Sequence, residues 1–338
     1  ATKALIERCG GDDVDPLIYY DLGNEYALSK KGDEALAAWE KAIEIQEPGD
    51  FRASRAVSDF FFARNQWEEA YKYHLPVIQD SMERISALRH AEICIKTRRF
   101  EEAREIISRV AGNGSDDDFI VQMLLSSMYE GMGDQYWENG QVEETNEAYV
   151  QMQAALDSAI EIAPTDEKPN LQKVRILRNM YSRTMDRVHL DQALKYAERA
   201  YGLNAGLWDC TLAKVNVLMD LGRPDSAIAE LDRYIDSNPT HGPSRRKLIN
   251  MYVSTDQIGS AKQLLDEIIQ LMPFDAGWYR ALGQLHVQTD DFQDAARCFD
   301  KAYELEPSAE ILNMRIDVRL IADDPDPNGV IGILKNHS

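Results

Sequence analysis

Apolar residues recur along this chain at spacings of three and four, which is the period of an α-helix with one buried face. The pattern is clearest in three segments that end at Pro239, Pro273 and Pro307, each 34 residues from the next. In each segment an alanine stands twelve residues before the proline, and apolar residues follow it four and seven positions later. Proline ends a helix because it lacks an amide hydrogen and clashes with the preceding turn. The sequence therefore predicts a helical unit repeated every 34 residues.

A second helix is predicted before each of these. In the last complete unit it carries Tyr279, Leu282, Gly283 and His286 at spacings of three, one and three, so His286 is expected in the core. The glycine is expected to let the following helix approach closely. Residue types that tolerate a left-handed backbone stand at the predicted turns between paired helices. They are Asn65, Gly140, Gly222 and Asp290.

The unit resembles the tetratricopeptide repeat, a helix–turn–helix of 34 residues. Helix pairs are predicted to start near residues 16, 51, 84, 117, 170, 208, 242 and 276, so the resemblance covers residues 16–307. It implies an all-α, right-handed superhelical solenoid of about eight antiparallel helix pairs, whose first helices line a concave groove. Residues 308–322 are expected to form a capping helix, followed by a tail to residue 338. Residues 1–15 are interpreted as a truncated repeat or an N-terminal stub.

One predicted pair, residues 117–164, is longer than the others. Its helices are expected to end near Asn139 and to run from about Val142 to Ala163, about 21 residues each. Between Val110 and Glu167 there is no lysine or arginine, but there are thirteen aspartates and glutamates. If the first helix keeps the register of the repeat, Glu130, Asp134 and Trp137 face the groove. Carboxylates beside an aromatic ring suit a bound cation, so these residues are predicted to contact a partner. The alternative is that they form a solvated acidic face without a binding role.

The resemblance also implies binding positions elsewhere in the groove. Primary amides recur at one groove position as Asn24, Asn216, Asn250 and Gln284, an arrangement similar to the asparagine ladder of the O-GlcNAc transferase superhelix. Amides offer donors and an acceptor to the backbone of an extended peptide. Arg246 and Arg280 occupy a second groove position. Arg246 with Asn250 resembles half of the carboxylate clamp of chaperone-binding tetratricopeptide domains, but Leu212 and Gln284 depart from that clamp. The alternative is that all of these are solvated surface residues.

Charge narrows the class of partner. The net charge of −21 argues against nucleic acid and against anionic membrane surfaces, and it favours a cationic partner. The alternative is that the acidity only keeps a long surface soluble.

No apolar run approaches the ~20 residues of a membrane span. Four cysteines without a CxxC pair are expected to be reduced, three of them within helices, which favours a cytoplasmic location. A periplasmic location stays open, because the chain starts at Ala1 without an initiator methionine.

The sequence carries no recognisable catalytic motif. It has no glycine-rich phosphate loop, no GxSxG and no HExxH, so we expect no enzymatic activity and no cofactor. His90 and Cys94 lie four apart on one helix face and could grip a metal, but both fall on predicted core positions without a matching ligand pair. We therefore predict no metal site.

Three functions fit these observations. The leading hypothesis is a scaffold that holds a basic or mixed-charge protein segment in the groove. The second is a periplasmic superhelix that handles a cationic polysaccharide during export. The third is the substrate-presenting arm of a larger enzyme, such as a glycosyltransferase. Self-association through uncapped ends is a further expectation of the resemblance.

Overall fold

The computed structural model of the protein describes residues 15–80, 83–111 and 118–321. These residues form seventeen α-helices and no strand, in two compact units that divide between Lys173 and Val174. The first unit contains α1 (Pro16–Leu28), α2 (Gly32–Ile45), α3 (Arg52–Phe62), α4 (Trp67–Asp80), α5 (Arg84–Lys96), α6 (Phe100–Ala111), α7 (Phe119–Glu138) and α8 (Val142–Ile162). The division falls within α9 (Lys168–Thr184). The second unit contains α10 (Arg187–Leu203), α11 (Trp208–Asp220), α12 (Pro224–Ser237), α13 (Gly242–Ser254), α14 (Ile258–Leu271), α15 (Ala276–Gln288), α16 (Phe292–Leu305) and α17 (Ala309–Ile321).

The helices follow the predicted pairs. The first helices of the eight pairs begin at residues 16, 52, 84, 119, 168, 208, 242 and 276, each within two residues of its predicted start. The predicted additional C-terminal helix is α17. The long pair has helices of 20 and 21 residues, close to the predicted length. The proposed stub, except for Asp15, and the tail after Ile321 lie outside the described residues.

Each pair turns through one residue with a left-handed backbone, at φ between 56° and 73°. The four residues predicted to do so are confirmed, and the other pairs place ordinary L-residues there, namely Lys30, Arg98, Met185 and Asp256. In seven of the eight turns the same two amide hydrogen bonds close the first helix, as in Lys31 to Tyr26 and Lys30 to Ala27. This is the Schellman arrangement, which satisfies carbonyl groups that a helix end leaves unpaired. One turn geometry thus serves seven of the eight pairs, including copies that lack glycine at the turn.

Three glycines let the two helices of a pair meet closely. A Cβ atom on Gly23 would lie 2.3 Å from the Trp39 ring, and one on Gly283 would lie 2.7 Å from the Phe299 ring. Gly133 meets Tyr149 in the same way, at 2.6 Å. The aromatic ring of the second helix therefore packs directly on the backbone of the first, as the glycine pattern predicts.

Small residues are also buried along the second helices of the pairs. Alanines at the repeat position of the second helices have no exposed surface. In the first unit they are Ala35, Ala70 and Ala103, and in the second Ala193, Ala227, Ala261 and Ala295. His286, expected in the core, lies at its edge: its side chain is 17% exposed, and its Nδ1 lies 3.4 Å from Asp291 Oδ2.

Candidate partner-binding surface

The long pair α7–α8 carries the acidic surface of the first unit. Asp118 caps α7, with Oδ1 accepting hydrogen bonds from the amides of Ile120 at 2.9 Å and Val121 at 3.4 Å. Asp116 and Asp117, which precede Asp118 in the sequence and offer further carboxylates for this cap, lie outside the described residues. Because no lysine or arginine occurs from residue 118 to 167, the carboxylates of this pair have no basic partner within the pair itself. Three of them have basic partners outside the pair, namely Asp118 with Arg84, Glu138 with Arg98 and Asp157 with Lys173. Because the pair has more carboxylates than these basic partners, its surface is a source of negative potential.

A groove on this pair combines aromatic rings with carboxylates. Tyr129 and Tyr136 lie two turns apart on α7, and Glu144 and Glu147 lie one turn apart on α8. Met132, Ala148 and Gln151 complete the lining from the same two helices, and the groove encloses about 270 Å³. Arg104 of α6 stands at its edge, with its guanidinium 3.0 Å from Glu101 and 3.3 Å from the Met132 sulfur.

The residues predicted to face a partner in this pair lie on another side of α7. At about 100° per residue, Glu130, Asp134 and Trp137 share one face, which is turned by roughly a third of the helix circumference from Tyr129 and Tyr136. Asp134 is half-buried and accepts a hydrogen bond from Tyr149 at 3.0 Å, so its carboxylate also supports the packing of α7 on α8. Trp137 is 42% exposed and Glu130 is half-buried. The tyrosine groove was not predictable from the sequence, because both tyrosines occupy positions that the repeat pattern assigns to the core.

Asn24, at the N-terminal end of the first unit, is already engaged within its own pair. Its Oδ1 accepts a hydrogen bond from the Trp39 indole at 3.2 Å, and the side chain is half-buried. This contact fixes the ring that packs on Gly23, so the amide has a structural role in addition to the predicted binding role.

In the second unit the predicted amides differ from one another. Asn216 of α11 accepts a hydrogen bond from Lys247 of α13 at 2.7 Å, whereas Asn250 and Gln284 are exposed on α13 and α15. Burial lowers the pKa of Lys247, and the positive charge of Arg178 lowers it further, while Asp220 acts in the opposite direction. Lys247 was not predicted, because the contact joins side chains of neighbouring repeats.

The two predicted arginines of this unit also have partners. The guanidinium of Arg246 lies 5.0 Å from the Trp278 ring centroid, and Arg280 forms an ion pair with Glu310 of α17 at 3.2 Å. Arg246 is exposed, so stacking on tryptophan orients a cation that a ligand can reach. The first helices α11, α13 and α15 thus present amides and cations, in contrast to the acidic pair of the first unit.

A polar cluster is buried in the first unit between α4, α5 and α6. His90 Nδ1 lies 3.2 Å from His74 Nδ1, and His90 Nε2 lies 3.2 Å from Glu102 Oε1. Tyr71 donates a hydrogen bond to Glu102 Oε2 at 3.0 Å. Burial, with the nearby charge of Glu102, raises the pKa of the Cys94 thiol to about 12, and burial lowers the pKa of His74 to about 4. The sequence shows only the spacing of His90 and Cys94 in this cluster.

Among the described helices, none has both the length and the apolar character to cross a bilayer. Among the other described thiols, Cys210 is buried and Cys298 is half-buried, and burial raises the pKa of the Cys298 thiol to about 11. The thiols of Cys94 and Cys298 are therefore protonated at neutral pH and are poor nucleophiles.

Comparison with known proteins identifies the repeat. A model of the tetratricopeptide repeat family matches residues 276–309, which contain α15 and α16. No curated protein matches the chain in sequence. Among solved structures, it is similar to MamA from Desulfovibrio magneticus RS-1, with 19% identity and a TM-score of 0.36 over 55% of this chain and 97% of that one. It is similar to a tetratricopeptide repeat protein from Parabacteroides merdae, with 12% identity and a TM-score of 0.43 over 80% and 98%. A thermophilic protein of the same type from Thermus thermophilus shares 16% identity, with a TM-score of 0.36 over 70% and 99%.

Proposed function

We propose that this chain, a helical-repeat protein of the tetratricopeptide family, is a non-catalytic scaffold that holds a basic segment of a partner protein against α7 and α8. The observation that carries the proposal is the groove of Tyr129, Tyr136, Glu144 and Glu147 on a pair without lysine or arginine. Carboxylates and aromatic ring faces both attract a lysine or arginine side chain.

The size of the groove favours a side chain over a whole ligand. Small-molecule pockets occupy roughly 300–1,000 Å³ and bury most of their ligand. The groove encloses about 270 Å³ between exposed glutamates, which suits one or two side chains of a longer segment. The only cation at its edge, among the residues that line it, is Arg104, whose charge is offset by Glu101.

The second unit suits a segment of mixed charge. Exposed Asn250 and Gln284 can pair with the backbone of an extended peptide, and Arg246 on Trp278 can accept a carboxylate. The buried thiols of Cys94 and Cys210 fit a reducing, cytoplasmic compartment.

The test compares two matched double variants. Glu144→Gln with Glu147→Gln neutralises the groove, and Asp33→Asn with Glu34→Gln removes the same charge from exposed positions in the first turn of α2. Fluorescence anisotropy measures binding of lysine- and arginine-rich peptides and of glucosamine oligomers. Because each of the two rim ion pairs contributes ~0.2–1 kcal/mol, we expect the groove variant to bind basic peptides about twofold to thirtyfold more weakly.

The salt dependence of binding provides a second measurement. Its slope against ionic strength should be flatter in the groove variant than in the α2 variant, because fewer screened charges remain at the interface. Equal losses in both variants would mean that only the net charge matters and would reject the groove. Tight binding of glucosamine oligomers but not of peptides would replace this proposal with polysaccharide handling.

A further inference from the structure

A set of potential metal ligands converges in the first unit, and none of its residues lines the acidic groove. His90 and Cys94 lie four residues apart on α5 and therefore project from the same face. Glu102, in the first turn of α6, completes the set. One ligand atom from each of the three lies within 4.8 Å of the others. Zinc bonds of ~2.0–2.3 Å in tetrahedral geometry separate ligand atoms by roughly 3.5 Å, so a small closing movement of side chains would satisfy them.

The chemistry of the set is selective. It offers an imidazole nitrogen, a thiol sulfur and a carboxylate oxygen, which are the three ligand types found at zinc sites. A hard cation such as magnesium or calcium would be expected to have an all-oxygen set. His90 and Cys94 have no exposed surface, while the Glu102 side chain is 33% exposed, so the site has an entry on the glutamate side.

Neighbouring groups orient the ligands as outer-shell partners do in metalloproteins. His74 is buried, and its Nδ1 lies 3.2 Å from His90 Nδ1. If His90 carries its proton on Nδ1 and donates it to His74, His90 Nε2 presents a lone pair toward Cys94 and Glu102. The Tyr71 hydroxyl donates to the Glu102 carboxylate, 3.0 Å from Oε2 and 3.3 Å from Oε1, and Oε1 lies 3.2 Å from His90 Nε2. The guanidinium of Arg99, which lies over the Tyr71 ring, forms an ion pair with Glu68 at 2.8 Å.

We propose that His90, Cys94 and Glu102 bind a thiophilic divalent cation of the zinc class. Binding forms bonds from His90 Nε2, Cys94 Sγ and a Glu102 oxygen to the metal. The thiol proton is released to solvent, and the imidazole proton resides on Nδ1. A water molecule entering beside Glu102 takes the fourth position. The cation would join α5 to α6 and, through His74, to the preceding pair, so it would stabilise the middle of the first unit.

The test uses the whole chain stripped with a chelator. Titration with Co²⁺ should give visible d–d bands and a thiolate-to-cobalt charge-transfer band at one equivalent, and equilibrium dialysis should give one Zn²⁺ per chain. Zn²⁺ should raise the thermal unfolding midpoint. Cys94→Ser should lose the charge-transfer band, while Cys210→Ser, a buried cysteine in the second unit, should keep it. Tyr71→Phe should weaken Zn²⁺ binding about tenfold without abolishing the band.

Two further observations keep the result interpretable. Far-ultraviolet circular dichroism of the metal-free variants establishes that they fold, and Glu102→Gln provides a ligand variant that retains volume at a partly exposed position. In Glu102→Gln, weaker binding with an unchanged metal-free melting midpoint supports the proposal. No stoichiometric binding by the wild-type chain, or the same charge-transfer band in Cys94→Ser, would overturn it and leave the cluster a buried hydrogen-bonded network.

Discussion

The contact of Gly283 with Phe299 gives a sharp test of how the pairs pack. An alanine Cβ at position 283 would lie 2.7 Å from one ring carbon of Phe299 and 3.0 Å from two others, whereas carbon atoms in contact prefer ~3.5–4.0 Å. The ring is 1% exposed, so other atoms enclose it. Overpacking of this kind costs ~1–3 kcal/mol. Alanine gains up to about 1 kcal/mol over glycine in helix propensity, so we expect Gly283→Ala to destabilise the protein by roughly 1 kcal/mol.

Gly259 is the matched control for this substitution. It also lies in a helix of the second unit, but a Cβ there would meet nothing within 4 Å. Gly259→Ala therefore keeps the propensity gain without the steric cost and should stabilise the protein by up to about 1 kcal/mol. The difference between the two variants isolates the steric contribution of the Phe299 ring.

Urea unfolding followed by circular dichroism measures both effects as shifts of the midpoint. A double-mutant cycle adds the coupling, because Phe299→Leu removes the ring atoms that a Cβ at position 283 would meet. In that background Gly283→Ala should no longer destabilise. The reasoning is refuted if Gly283→Ala and Gly259→Ala shift the midpoint equally, or if Phe299→Leu leaves the effect of Gly283→Ala unchanged.

Three other outcomes are expected. Lys30→Gly should raise the free energy of unfolding by about 0.5–1 kcal/mol, because a φ of 58° is unfavourable for an L-residue but not for glycine. Thermal unfolding followed by circular dichroism measures the change, and a lower melting midpoint in the variant would contradict this prediction. The hydrogen bond from Lys262 lowers the pKa of Asp291 to about 2. Asp291→Asn should therefore lower the free energy of unfolding above about pH 4, and the difference from the wild-type chain should vanish as the pH falls toward 2. A stability difference that persists unchanged at pH 2 would refute this assignment. Glu230 accepts a hydrogen bond from Lys214 at 2.7 Å and is 7% exposed. Glu230→Leu leaves Lys214 without this partner and should lower the free energy of unfolding, measured by urea titration, by roughly 2–4 kcal/mol. Adding Lys214→Leu should recover part of this loss.

Much of the fold was predictable because it follows from local periodicity. Apolar spacing, prolines and turn residues placed the first helices of all eight pairs within two residues of their observed starts. Contacts between neighbouring repeats were not predictable in the same way. The Lys247–Asn216 bond and the Arg280–Glu310 pair join positions about 30 residues apart, and they depend on how successive pairs are rotated. The approach of Glu102 to His90 depends in turn on how α6 packs against α5.

Several repeats lack the glycine of the first helix, yet their two helices still pack closely. In three pairs, the glycine of the first helix lies sixteen residues before the aromatic residue of the second helix that it contacts. In pairs without this glycine, the residues at the same two positions also pack together. In the other pairs these positions hold Ala91 with Ile107, Tyr181 with Ala197, Val215 with Leu231 and Ile249 with Leu265, and each pair of residues belongs to one apolar cluster. A missing glycine is thus accompanied by a partner smaller than the aromatic ring, which leaves room for the side chain that replaces the glycine.

This exchange of volume links packing to the proposed metal site. The second pair carries Ser58 where other pairs carry glycine, and His74 stands sixteen residues later, in the place of Trp39, Tyr149 or Phe299. Both side chains are buried, and Ser58 donates a hydrogen bond to the Ala70 carbonyl at 2.9 Å. Because an imidazole fills less space than an indole and offers a ring nitrogen, the next pair can bring His90 against it. A position that only packs in most repeats therefore becomes the polar support of His90, Cys94 and Glu102 in this one.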